Sequence, residues 1–108
     1  MTMGMDIFTK LETTIRSRRE AGADDSYVAR LNAGGLPLIA RKLGEEATEA
    51  VVAALSGSDA ELTGEAADVL FHLLVLLDNR GIGLADVMHE LERREGTSGI
   101  TEKQSRSN

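Results

Sequence analysis

Between residues 37 and 79 the sequence carries a single cluster of helix-breaking residues, Ser56-Gly57-Ser58. That interruption is the strongest constraint on the fold. Pro37 stands where a helix start tolerates proline, and no breaker follows before Leu55 except Gly44. Ser58, with Glu61 three residues on, forms a capping-box signature for a second helix running to about Asn79. Two long antiparallel helices joined by a tight turn are therefore expected. Gly44 costs about 1 kcal/mol relative to alanine inside a helix, so it implies close helix packing or backbone approach to a ligand.

The rest of the chain fits around this hairpin. Apolar residues at Ile7 or Phe8, Leu11 and Ile15 predict a first helix over residues 5 to 19. Asp24, Asp25 and Ser26 can cap a short helix over 27 to 31, which Gly34 and Gly35 end. Leu84, Val87, Met88 and Leu91 mark a last amphipathic helix over 84 to 94, and the tail from Gly96 to Asn108 is polar. No alternating strand pattern occurs. The expected fold is all-α, with four to five helices in one domain over 1–108 and an ordered core at about 5–95.

With 108 residues, no Trp, two Phe and one Tyr, the core must be built from Leu, Ala, Val and Ile. Such a core is thin, and a helical bundle completed by a second copy of the chain, a homodimer, is expected. The absence of cysteine excludes a disulfide framework, a thiolate zinc site and a cysteine nucleophile. A net charge of −6, with Arg16, Arg18 and Arg19 far along the chain from Arg93 and Arg94, disfavours nucleic acid. No segment reads as a signal peptide or membrane span, so a cytoplasmic location is expected.

The chemistry is concentrated in two segments. Glu46 and Glu49 lie one turn apart on one side of the first long helix, next to an expected apolar stripe of Ile39, Leu43, Ala47, Ala50 and Ala54. Lys42 shares that side. Glu65 and Asp68 repeat the spacing on the second helix, with His72 a turn beyond. Isolated Glu-x-x-Glu pairs are usually solvated. Here Val69, Leu70 and the run Leu73 to Leu77 are apolar nearly all round, which makes the second helix central and draws its acids out of open water. Converging carboxylates repel unless protonated or bound to a cation, and all-oxygen ligands select Mg²⁺ or Mn²⁺ over Zn²⁺.

The pattern Glu45-Glu46-x-x-Glu49 followed by Glu65-x-x-Asp68 resembles the signature of the all-α nucleoside triphosphate pyrophosphatases, a magnesium-dependent superfamily. Four flanking stretches, at residues 26–31, 41–49, 71–77 and 98–103, are similar to the phosphoribosyl-ATP pyrophosphohydrolase family, and the likeness spans about residues 8 to 106. It implies hydrolysis of phosphoribosyl-ATP to phosphoribosyl-AMP and pyrophosphate in histidine biosynthesis, on a dimeric helical fold. It also implies Glu46, Glu49, Glu65 and Asp68 as magnesium ligands. Glu45, pointing some 100° from Glu46, either supports those ligands or orients the water, and Glu45 and Glu49 are the candidate catalytic groups. Where such relatives often place a serine before the last helix this chain has Gly83, a permissible cap. Without a fused cyclohydrolase, the chain is expected to act as a separate polypeptide.

Lys42 is the foremost candidate for a phosphate contact, against an i,i+4 salt bridge to Glu46. Arg19, Arg80, Lys103 and Arg106 are further phosphate candidates. His72 is expected to line the helix interface rather than to support Asp68, His89 to lie on the surface, and Tyr27 to pack rather than stack on a base. Two other functions compete: a housecleaning pyrophosphatase acting on a dCTP- or dUTP-like triphosphate, and a non-catalytic helical dimerisation module.

Overall fold

The computed structural model describes residues 3–22 and 26–96. Five helices follow one another: α1 (Met3–Arg19), α2 (Tyr27–Gly34), α3 (Leu36–Ser56), α4 (Asp59–Asn79) and α5 (Leu84–Arg94). The described residues form no strand. Asp24, Asp25 and the polar tail beyond Gly96 lie outside them.

The α3–α4 hairpin dominates the packing, and its turn is closed by local hydrogen bonds. Ser58 Oγ accepts from the Glu61 N–H at 3.1 Å while the Glu61 carboxylate accepts from the Ser58 N–H at 3.2 Å, completing the capping box. The seam of α3 differs from the expected stripe. Ile39 and Ala53 are buried and Leu43, Glu46 and Ala50 half-buried, whereas Ala47 and Ala54 face solvent. Glu46 therefore occupies a position in the seam itself, at the spacing of the apolar residues above and below it.

α2 continues three residues past the expected end before Gly35 turns the chain into α3. Gly35 adopts φ 85°, ψ 172°, a region that only glycine populates readily. Ser26 Oγ accepts from the Ala29 N–H at 3.3 Å to cap α2. Asn79 on α4 donates to the Asn32 side chain at 2.9 Å, tying α2 to the far end of the hairpin. The core beneath is small: Ile15, Val28, Leu31, Ile39, Leu74 and Val75.

A buried ion pair joins α1 to the end of α4. Asp78 is 7% exposed, and its carboxylate lies 3.1 Å from the Arg19 guanidinium and 3.7 Å from that of Arg16. Arg19 also donates to the Asp78 carbonyl, meeting one of the free acceptors at the C-terminal end of the helix. At the start of α5, Gly83 brings no capping side chain. Glu12 of α1 substitutes for it, accepting from the Leu84 N–H at 2.7 Å, and Asp86 accepts from the Gly83 N–H at 3.2 Å.

Removing either partner of the Arg19–Asp78 pair has unequal consequences. Arg19→Met leaves a buried carboxylate facing only the exposed Arg16 and should cost about 3 kcal/mol in urea unfolding. Asp78→Asn leaves an arginine that water can reach and should cost less. The double variant should be more stable than Arg19→Met alone, because it removes the stranded charge.

Candidate functional site

The two carboxylate segments meet where the hairpin brings α3 and α4 side by side. Counted outward from the Gly57-Ser58 turn, Glu46 and Glu49 stand level with Glu65 and Asp68, each set about two to three turns away. Carboxylate oxygens of Glu46, Glu49 and Glu65 all lie within 4.8 Å of one another. Asp68 stands beside this trio and joins Glu49 and Glu65 in lining a cleft of about 660 Å³. The cleft runs on toward the turn past Val52, Ser56 and Gly64.

The trio is short of hydrogen-bond donors. Glu46 Oε2 and Glu65 Oε2 are both shielded from solvent and without a hydrogen-bond partner among the described residues. Each carboxyl has its pKa raised above the ordinary range, first because burial disfavours the charged form, then through a hydrogen bond to Glu49, then through the neighbouring negative charges of Glu49 and Asp68. Shielded oxygens with no donor, gathered from two rigid helices, suit a hard divalent cation; neither thiolate nor imidazole joins them. Asp68, beside them, is exposed.

The remaining candidates are distributed unevenly. Lys42 pairs with Glu45 at 3.4 Å, so the bridge to Glu46 weighed against a phosphate contact does not form. Arg41 reaches the same carboxylate at 3.6 Å. Glu45 is thus engaged by two cations and lies outside the cleft lining. Arg19 is held at Asp78, about 15 Å of helix beyond Asp68, in the ion pair described above. Arg80 is exposed at the C-terminal cap of α4, farther still along that helix. Lys103 and Arg106 lie outside the described residues. His72 is 4% exposed and lies in the helix interface, Tyr27 is exposed and stacks on Phe71, and the two bond to each other at 2.9 Å. His89 is exposed.

Sequence reading did not single out Gly64, which lines the cleft one turn before Asp68. A Cβ there would meet nothing within 4 Å, so crowding inside the chain does not demand glycine. The signal was available: a glycine in the interior of a helix beside an acidic pair.

Helices alone among the described residues, with a cluster of carboxylates held in the seam between two of them, define a class of all-α protein with an acidic site between paired helices. Comparison with known sequences narrows the class. The family model for phosphoribosyl-ATP pyrophosphohydrolase matches residues 8–95. A phosphoribosyl-ATP pyrophosphatase of Erythrobacter litoralis is 62% identical over 102 residues, covering 94% of this chain and 98% of the relative. Proteins of the same name from Novosphingobium aromaticivorans and Dinoroseobacter shibae are 58% and 54% identical, covering 95% and 94% of this chain and 96% and 100% of theirs. The chain belongs to the phosphoribosyl-ATP pyrophosphohydrolase family.

The raised carboxyls set the sign of a pH effect. In the native state Glu46 and Glu65 hold protons more tightly than in the unfolded chain, so stability falls as pH rises from about 4.5 through their raised values. Glu90 acts in the opposite sense: Arg93 and Arg94 hold its pKa down to about 2, and its contribution is lost only as pH falls below the usual carboxylate range toward that value. Thermal melts in EDTA should therefore show Tm declining from weakly acidic toward neutral pH. Glu46→Gln should flatten the decline and raise Tm at neutral pH by a few degrees.

Proposed function

We propose that the chain hydrolyses phosphoribosyl-ATP to phosphoribosyl-AMP and pyrophosphate, a step of histidine biosynthesis, at the cleft beside Glu46, Glu49, Glu65 and Asp68. The observation that carries this reading is the trio of carboxylates, two of them with a shielded, unpartnered oxygen, in a chain of this family. Mg²⁺, or Mn²⁺ in its place, fits that donor set, and held by Glu46, Glu49, Glu65 and Asp68 it would offset the triphosphate's charge and polarise the phosphoryl group.

In the reaction a water oxygen bonds to the α phosphorus, the α–β bridging bond breaks, and pyrophosphate departs with the bridging oxygen. The proton of the water needs an acceptor within hydrogen-bond reach. Of the two candidates, Glu49 opens onto the cleft, whereas Glu45 is occupied by Arg41 and Lys42. Glu49 takes the proton in this scheme. Glu45 holds the two cations at the rim of the acidic site, from which Lys42 can turn to a phosphate oxygen. Lys103 and Arg106 are kept as candidates for the phosphates at the far ends of the substrate.

A homodimer completes the fold in this reading. Val51, Val52 and Leu55 of α3 are 57%, 56% and 83% exposed. On another side, Leu70, Leu73 and Leu77 of α4 line an apolar groove of about 220 Å³ with Val87, Met88 and Leu91 of α5. A monomer rarely leaves this much apolar surface in water, and a core of so few residues has little to spare. No described helix is long and apolar enough to cross a membrane, and a cytoplasmic location fits a biosynthetic hydrolase.

Pyrophosphate release should be tested with Mg²⁺ on phosphoribosyl-ATP, dCTP and dUTP in parallel. Release from phosphoribosyl-ATP, abolished by EDTA and reduced at least about 100-fold by Asp68→Asn with helicity intact, is the expected result. Turnover of dCTP or dUTP in preference would favour the housecleaning reading, and no release from any triphosphate would favour a dimerisation module. Sedimentation should give a dimer, and Leu55→Glu, which sets a charge in the exposed apolar face of α3, should shift it toward monomer.

A further inference from the structure

His72 is a buried imidazole with both ring nitrogens engaged. Its Nδ1 lies 2.8 Å from the Asp68 carbonyl oxygen and its Nε2 2.9 Å from the Tyr27 hydroxyl. A carbonyl oxygen only accepts, so Nδ1 carries the hydrogen, and Nε2 is the atom left to bond the Tyr27 hydroxyl. The geometry is reinforced by packing: Tyr27 stacks on Phe71 with centroids 6.2 Å apart, and both rings meet His72 edge-on, at 5.7 and 5.3 Å. The first residue of α2 is thereby latched to α4 one turn beyond Asp68.

The Asp68 carboxylate itself makes no hydrogen bond or ion pair among the described residues, and it is exposed. Where it points depends on the turn of α4 that carries it, and His72 grips that turn through its carbonyl. Resting on the cation reading above, we propose that Tyr27 and His72 form a positioning pair for the carboxylate site: the Tyr27 hydroxyl sets the His72 ring, and the ring holds the Asp68 turn in the register that completes the ligand set. An octahedral Mg²⁺ tolerates little displacement of its oxygens, so slackening this turn weakens cation binding before it disturbs the fold.

The test uses the full chain and Mn²⁺ alone, with binding read by calorimetry in the absence of substrate. Tyr27→Phe keeps the stacked ring and removes only the hydroxyl. Asn32→Ala removes the other side-chain bond between α2 and α4, from Asn79 at 2.9 Å, without touching the Asp68 turn. Tyr27→Phe should weaken Mn²⁺ binding about tenfold, with His72→Ala at least as weak, while Asn32→Ala binds like wild type at a comparably lowered Tm. Unchanged affinity in Tyr27→Phe, or equal weakening in Asn32→Ala, overturns the positioning pair and leaves the cation reading intact. A wild-type chain that binds no Mn²⁺ overturns both.

Discussion

Mutual repulsion among carboxylates in the α3–α4 seam is the constraint around which this small fold is arranged. Glu46 takes a seam position between Leu43 and Ala50, where an apolar residue would pack better, and Glu65 approaches it from α4. Two of their oxygens are shielded and unpartnered. Left to itself, such a seam would open or slip until water reached the charges. It remains closed because apolar packing at Ile39 and Ala53 brackets the acids on either side, and because the capping box at Ser58 fixes the register at the turn.

The outer helices act as braces on that hairpin. α1 reaches the far end of α4 through Arg19 and Asp78, and it supplies through Glu12 the cap that Gly83 cannot give α5. α2 reaches α4 at two levels, Tyr27 on His72 and Asn32 on Asn79. These contacts are polar and directional, which suits a core too small to specify helix positions by packing alone. A few hydrogen bonds at the ends of helices thus hold an arrangement that the centre of the hairpin resists.

Much of this was legible in the sequence because it is written at short range. Caps, glycine stops and the i, i+3 acids are local patterns, and the helices they predicted differ from those observed by a few residues at most. Asp68 beside Glu65 followed from helical spacing alone. What could not be read was any choice decided across helices. Within α3, helical spacing set Lys42 against Glu46, and a small difference in side-chain angle takes it to Glu45 instead. That Arg19 would serve Asp78 required knowing that α1 crosses the end of α4. The apolar stripe of α3 was placed one residue off at Ala47 and Ala54, because alanine is too small and too common in helices to mark a face by itself.

The two glycines inside the long helices show where local preference yields to function. Neither Gly44 nor Gly64 is crowded, since a Cβ at either position would meet nothing within 4 Å, yet each weakens its helix by about 1 kcal/mol relative to alanine. Gly64 lies on the cleft wall, where a side chain would narrow the space beside Asp68. Gly44 lies on the solvent face of α3 that also carries Ala40, Ala47, Val51 and Leu55. Under the proposed function that loss has a reason outside the chain: a ligand beside Gly64 and a second copy against Gly44. The carboxylates share that character: the acids, like the glycines, lower the stability of the isolated chain, and under the proposed function a bound cation would offset their charge.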